Sequence, residues 1–492
     1  MNLPLADHDV IELFARLKAA PRRITADSRT VTPGDAFAAY PGAKADGRAF
    51  IADAIARGAG AVLWDADRFA WKPEWQVPNV GVPELKLALG ALADFIHGHP
   101  SQDLWLTGVT GTNGKTSCSQ WIAQAFDACG RRSAVLGTLG NGMSGRLTPS
   151  PNTTPDAAVL HETLAALKAE GAQTVAMEVS SIGLDQGRVN AVAFDVALFT
   201  NLSRDHLDYH GTMAAYGAAK ARLFRWPTLA AAVINADDPF GQGLIDDTRV
   251  RGRKVLTYGL AGADIAATAV MPTPSGLALT AVTPWGRADI ETKLTGAFNA
   301  YNLLGVLGVL LASDVPLAEA SAALARLTPP PGRMQRFGGD GVPLVVVDYA
   351  HSPDALDKVL TALKPAVADG GSLVCVFGCG GDRDPGKRPE MGRVAASLAT
   401  RIVVTSDNPR SEEPGVIAQG VMRGLAEAGF RRYQVELDRA KAIQGAVAAA
   451  RWGDVVLIAG KGHEDYQEAG GLRTPFSDAR EVEAALAAMD RP

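Results

Sequence analysis

Between Gly111 and Ser117 the chain reads Gly-Thr-Asn-Gly-Lys-Thr-Ser, a spacing suited to holding phosphate. Glycines let backbone N–H groups turn toward an anion, and a following helix adds partial positive charge at its start. A lysine in this place reaches the β- and γ-phosphates, and the hydroxyl after it can take Mg²⁺. Gly111, Thr112, Asn113, Gly114, Lys115, Thr116 and Ser117 are therefore the candidates for ATP. A strict Walker pattern asks for glycine at 109, where Val109 stands between Gly108 and Gly111, so the loop is a variant. Further along, Glu178 ends the apolar run that begins at Thr174. A carboxylate at a strand end suits Mg²⁺, which takes few protein oxygens and keeps waters. Asp205, His206, Asp208 and His210 cluster after another apolar run, and His206 is the member favoured for the site. Lys220 reads, from chemistry alone, as a helix-surface lysine. Asn299 and Asn302 either touch a base or cap a helix.

Four more polar loops lie beyond a run of prolines at 329–331: Asp348 to Pro353, Gly378 to Pro389, Ser406 to Arg410 and Gly460 to Glu464. Each follows a buried, strand-like stretch, and open α/β sheets bind ligands at such ends. The second is a glycine turn loaded with cations, suited to carboxylates or phosphates.

These residues need a scaffold, and the pattern supplies one. An apolar run from Leu104 leads into the glycine loop, and a helix-period segment follows, with Cys118, Trp121, Ile122, Ala125 and Phe126 on one face and Gly130 as a stop. Strand-like runs recur at 133–136, 174–179, 196–200, 231–234 and 255–258, with helical segments at 156–170 and 213–225. That alternation predicts a doubly wound, mainly parallel sheet. The runs 277–282 and 288–294 lack a helix between them and predict a small antiparallel element. The chain therefore divides into three α/β units, 1–100, 101–331 and 332–492, the first small and without catalytic signals.

Composition narrows the class. The 492 residues are 47% apolar and 21% charged with a net charge of −5, which describes a globular protein and argues against a nucleic-acid partner. The N-terminus is acidic and amphipathic, unlike a signal peptide, and no apolar run is long enough to span a membrane. Cys118, Cys129, Cys375 and Cys379 are scattered. Cys375 and Cys379 could be a metal pair, but no second pair or His cluster completes a site. Four unmatched thiols suggest a reducing compartment, so a cytoplasmic protein is expected.

Taken together, these residues resemble the Mur ligases, which build the peptide stem of the bacterial cell wall. The likeness spans nearly the whole chain: 111–116, Asn152-Thr153-Thr154-Pro155, Glu178-Val179-Ser180-Ser181, Asp205-His206, Tyr216 to Phe224, 348–353 and Asp407-Asn408-Pro409-Arg410. The last run looks like the signature of the branch that adds meso-2,6-diaminopimelate to UDP-N-acetylmuramoyl-L-alanyl-D-glutamate. A folylpolyglutamate-type or D-alanyl-D-alanine-adding relative would share the glycine loop without keeping this run beside Gly462-His463-Glu464. Lysine-adding relatives usually carry something else at the position of Arg410, and a non-catalytic ATP-binding regulator could lose Glu178, Lys220 or the polar loops of the third unit.

The resemblance implies a small N-terminal α/β domain for the uridine nucleotide, a central P-loop ATPase domain and a C-terminal Rossmann-like domain for the amino acid. Ala26 and Ser28, with Ala43, Lys44 and Ala45, would bind the uridine nucleotide. Asn152, Thr153, Thr154, Ser180, Gln186 and Arg188 would hold the muramoyl-peptide. Asn299, Arg333, Asp348 and His351 would lie near ATP. Arg383, Asp407, Asn408, Pro409, Arg410, Gly460 and Glu464 would recognise diaminopimelate. Lys115, Glu178, His206 and a carbamylated Lys220 would be catalytic, with Thr116, Glu178, His206 and Lys220 around Mg²⁺. The protein would be a monomer working on small molecules.

Overall fold

Apolar runs buried along most of their length become the strands of three sheets rich in parallel pairs. The structure is a computed structural model describing residues 5–42, 45–273, 276–339 and 341–489. Ala43 and Lys44 of the expected uridine loop lie outside the described residues. The first sheet is parallel throughout, in the order Ile24–Thr25, Ala36–Ala39, Ala61–Asp65, Asn79–Val82. The helix Leu85–Ile96 covers it and packs against Ala157–Ala169 of the next unit.

The central sheet has 11 strands. Trp105–Thr110 lies in its middle, paired in parallel with Thr174–Glu178 on one side and Val196–Phe199 on the other. The chain first winds outward to Ser133–Gly137, returns at Thr174–Glu178, then winds the opposite way through Ala231–Asn235 and Lys254–Gly259. The end of Trp105–Thr110 is therefore where strand order reverses, and a crevice opens there. The expected antiparallel element is present as Ile265–Thr273, Gly276–Thr283 and Gly286–Thr292. A second antiparallel extension, Gly140–Met143 with Arg146–Thr148, has no counterpart in the sequence reading. Nor does the helix Phe298–Ala312, which is buried almost all round and fills the core between the central sheet and the helix Lys115–Ala128. A helix apolar on every face carries no 3.6-residue stripe to detect.

The third sheet places Val455–Ala459 between Leu344–Asp348 and Leu373–Phe377, with Arg401–Val404 and Tyr433–Val435 beyond. An antiparallel edge strand, Gln335–Gly338, closes the other side. Its polar loops thus leave from the carboxyl ends of adjacent strands. Cys375 is buried inside a strand and Cys379 Sγ sits 3.6 Å from Met391 Sδ, so these thiols are core groups and not metal ligands. Among the described residues no helix is long and apolar enough to cross a membrane.

The cation-rich glycine turn at 378–389 is anchored by the helix Lys387–Leu398, which packs tightly on Pro414–Glu427. A Cβ on Gly424 would stand 2.0 Å from the carbonyl oxygen of Pro389. We expect Gly424→Ala to push these helices apart at a cost of about 1–3 kcal/mol, read as a lowered thermal unfolding midpoint.

Candidate active site

The central and C-terminal sheets point their strand ends at each other across one cavity of about 1070 Å³. On the central side the glycine loop turns through Gly111 (φ 147°) and Gly114 (φ 86°). A Cβ on Gly111 would lie 1.9 Å from Thr200 Oγ1. The glycine missing at 109 is not needed, because Val109 is still inside the strand and fully buried.

Two amines converge on this loop. Lys115 Nζ donates to the carbonyls of Gly111 and Thr112, both at 2.9 Å. Lys220 Nζ donates to the same Gly111 carbonyl at 2.7 Å. Lys220 is only 1% exposed, which corrects the reading of a helix-surface lysine. The helix Met213–Ala221 turns it inward, over the ring of Tyr216 at 4.4 Å. Burial, then the neighbouring Lys115 charge, pulls the Lys220 amine well below the usual lysine range. Lys115 is also lowered by burial, against the pull of Glu178 and Asp205.

Glu178 is 1% exposed and has no ion pair among the described residues. Its Oε2 accepts from Thr116 Oγ1 at 3.0 Å and Thr138 Oγ1 at 3.1 Å, and its Oε1 accepts from the Thr138 N–H at 2.8 Å. A buried carboxylate with hydroxyl neighbours and no ion pair among the described residues suits a divalent ion. No group of three or more His, Cys, Asp or Glu forms a ready metal cage among the described residues. His206 lines the cavity but pairs with Asp205 Oδ2 at 3.6 Å, without a hydrogen bond or ion pair to Glu178 among the described residues. Burial first, and the nearby Lys115 and Lys220 charges, push it down to about 4.

A second network lies beside Glu178. Thr154 Oγ1 donates to the Glu178 carbonyl at 2.9 Å and accepts from the Ser180 N–H at 3.0 Å. Arg188 reaches the Thr154 carbonyl at 2.8 Å and Gln186 Oε1 at 2.8 Å. Asn152, Thr153, Thr154, Ser180 and Arg188 line the cavity; Gln186 supports Arg188 from outside it. Ala26, Ser28 and Ala45 do not line it.

The C-terminal unit supplies the facing wall. Arg333 stacks on Tyr349 at 4.5 Å and donates to Thr116 Oγ1 at 3.0 Å. Its Nε is buried without a partner among the described residues, a donor free for an anion. Asp348 also lines the cavity, and its two oxygens accept the Met334 and Ala350 N–H groups at 2.8 Å each, which shapes the loop. His351 lies 3.7 Å from Asp205. Asn299 and Asn302 line the cavity and bond each other at 2.8 Å. Asp407, Asn408, Arg410, Gly460, Glu464 and the exposed Arg383 all line the cavity, whereas Pro409 packs its carbonyl against Gly381 and does not. Arg410 is held at φ 54°, its N–H bonded to the Glu468 carbonyl at 2.9 Å and its Nη1 to the Gly381 carbonyl at 2.8 Å.

Known proteins resemble this chain along nearly its whole length. Residues 22–97 match the Mur ligase family catalytic domain, 109–310 the Mur ligase middle domain, and 332–462 the Mur ligase glutamate ligase domain. The chain belongs to the Mur ligase family. It is 54% identical over 480 residues to the UDP-N-acetylmuramoyl-L-alanyl-D-glutamate–2,6-diaminopimelate ligase of Chromobacterium violaceum, covering 97% of each chain. It is 47% identical to the enzyme of that name from Neisseria meningitidis serogroup B, covering 98% of each. A solved structure of a ligase with that name aligns with a TM-score of 0.67 at 38% identity, covering 96% of each chain.

Several lining residues of this Mur ligase escaped sequence reasoning: Thr138, Lys358, His463, Tyr466 and Arg473. His463 had a signal, since it sits in the Gly460 to Glu464 loop; the others lie outside any motif. Burial, followed by the Arg333 and Lys461 charges, pushes His463 from 6.5 down to about 3. It is neutral in the folded protein at pH 7. As pH falls below 6.5 the unfolded chain takes up a proton that the fold refuses, so stability is lost between there and about 3. Thermal unfolding from pH 7 to 4 should therefore show a smaller loss for His463→Gln than for the wild type.

Proposed function

We propose that this Mur ligase joins meso-2,6-diaminopimelate to the D-glutamate side-chain carboxylate of UDP-N-acetylmuramoyl-L-alanyl-D-glutamate, using ATP. The observation that carries the reading is one cavity lined by Lys115 and Thr116 and also by Asp407, Asn408 and Arg410. Phosphate transfer and amino-acid recognition thus meet in one place.

A carboxylate resists amines, because its carbonyl is electron-rich and oxide is a poor leaving group. Transfer of the γ-phosphoryl group to that carboxylate gives an acyl phosphate; the amine attacks, phosphate leaves and an amide remains. Lys115 and the free Nε of Arg333 face the phosphates and offset charge as it moves between oxygens. Thr116 and Glu178 would hold Mg²⁺, which neutralises phosphate charge when bound. Thr154, Ser180 and Arg188 orient the peptide carboxylate beside them. Uridine recognition would fall to the N-terminal unit, whose Ala26, Ser28 and Ala45 do not line the cavity. The free cysteines suit a reducing compartment such as the cytoplasm.

Arg410 selects the amino acid. Its guanidinium matches the far carboxylate of diaminopimelate, while Asp407 and Glu464 meet an ammonium. Lysine lacks that carboxylate and would leave Arg410 unpaired. Phosphate release with ATP and the UDP-muramoyl-dipeptide should depend on diaminopimelate and not respond to lysine. Release with lysine instead would overturn the specificity, and release without any amino acid would overturn the ligase reading. Arg410→Ala should lower kcat/KM for diaminopimelate about a hundredfold, the effect of removing ~2–5 kcal/mol of paired charge, with the KM for ATP unchanged.

Lys220 is proposed to carry a carbamate. Burial and the Lys115 charge hold the Lys220 amine well below the usual lysine range, which favours its nucleophilic, unprotonated form. That form adds to CO₂ and releases a proton, and the resulting carbamate anion attracts Lys115 where an ammonium would repel it. Protein incubated with ¹³C-bicarbonate should show a carbamate resonance that Lys220→Ala lacks. Lys220→Ala should lose most activity and gain none from added bicarbonate.

A further inference from the structure

Lys461 is a fully buried cation in the amino-acid wall that the reaction above does not use. Its Nζ donates to Glu464 Oε2 at 2.8 Å and Asn408 Oδ1 at 2.9 Å, and lies 3.9 Å from Asp407 Oδ1. An ammonium only donates, so Asn408 must present its carbonyl oxygen to it. The Glu468 N–H donates to that same oxygen at 3.0 Å. The amide nitrogen of Asn408 is thereby aimed at Glu464 Oε2, to which it donates at 2.8 Å. Lys461, Asn408 and Glu464 close a ring.

The ring decides what is left for a ligand. Glu464 Oε2 has two donors, while its Oε1 has none among the described residues. The Asp407 carboxylate also has no hydrogen-bond donor among them, although the residue is only 6% exposed and lines the cavity. Arg439, behind, is spoken for: it pairs with Asp478 through two 2.7 Å bonds. Two carboxylates and one ammonium leave one negative charge and two open acceptors, enough for a single substrate ammonium.

We propose that Lys461 is the positioning residue of the amino-acid subsite, fixing the Asn408 amide and the Glu464 carboxylate and setting the subsite's charge to accept one ammonium. This rests on the ligase reading above. Without Lys461 the two carboxylates repel, and the acceptors no longer hold one geometry. Phosphoryl transfer, which happens at the opposite wall, should be spared.

The test uses the full chain with ATP, the UDP-muramoyl-dipeptide and varied diaminopimelate. Lys461→Met should raise the KM for diaminopimelate about tenfold or more, with the KM for ATP unchanged and kcat lowered much less. Lys461→Arg keeps the charge but not the compact geometry, and should give an intermediate KM; it also serves if Lys461→Met does not fold. In the pair Lys461→Met with Glu464→Gln, the combined rise in KM should be smaller than the product of the separate rises. An unchanged KM for diaminopimelate in either folded variant, a parallel rise in the KM for ATP, or a strictly multiplicative double variant overturns the proposal. A wild type that ignores diaminopimelate overturns the ligase reading, and this inference with it.

Discussion

The hydrogen bond from Arg333 to Thr116 ties the two working surfaces together. Arg333 follows the proline run that leaves the central unit, and Thr116 opens the helix behind the glycine loop. Thr116 passes the link to Glu178, so one chain of donors runs from the start of the third unit to a strand end of the second. Asn113 of the glycine loop adds a 2.7 Å bond to Asp354 in the helix Pro353–Leu363. Arg204 reaches Asp384 and Glu390 at 3.1 and 3.2 Å, but it is partly exposed and contributes little energy. The half-buried contacts matter more, because they lie at the glycine loop and the start of its helix. Strand ends that bind ligands separately can work as one site only while this register holds.

Much of this was legible because parallel sheets put chemistry where strands stop. Each apolar run followed by a polar loop marked a strand end, and the loops at 111–117, 348–353, 406–410 and 460–464 all reach the cavity. Other features were hidden for physical reasons. The helix Phe298–Ala312 has no polar face to give it a period. Lys220 could not be placed from its type, since a lysine in a helix is nearly always solvated. Only the packing of Met213–Ala221 shows that it points at the Gly111 carbonyl. Asp348 sits in a motif yet spends its oxygens on backbone N–H groups, a role that spacing cannot separate from ligand contact. Thr138 and Arg473 come to the cavity from hairpin-side segments with no motif at all.

The cavity is electrically divided, and that division explains its mixed donor set. At the phosphate wall Lys115 and Arg333 are cations, with the Lys220 amine depressed beside them. At the amino-acid wall Asp407 and Glu464 outnumber Lys461. On the proposed function, a substrate carrying both phosphate and carboxylate would be drawn to the first wall, and an ammonium to the second. Lys461 keeps the two carboxylates of the second wall from repelling each other and, through its bonds to Glu464 and Asn408, holds their open acceptors in one geometry. The buried lysine beside the binding carboxylates and the depressed lysine beside the phosphate loop tune opposite walls by the same means, a neighbour's charge at low exposure.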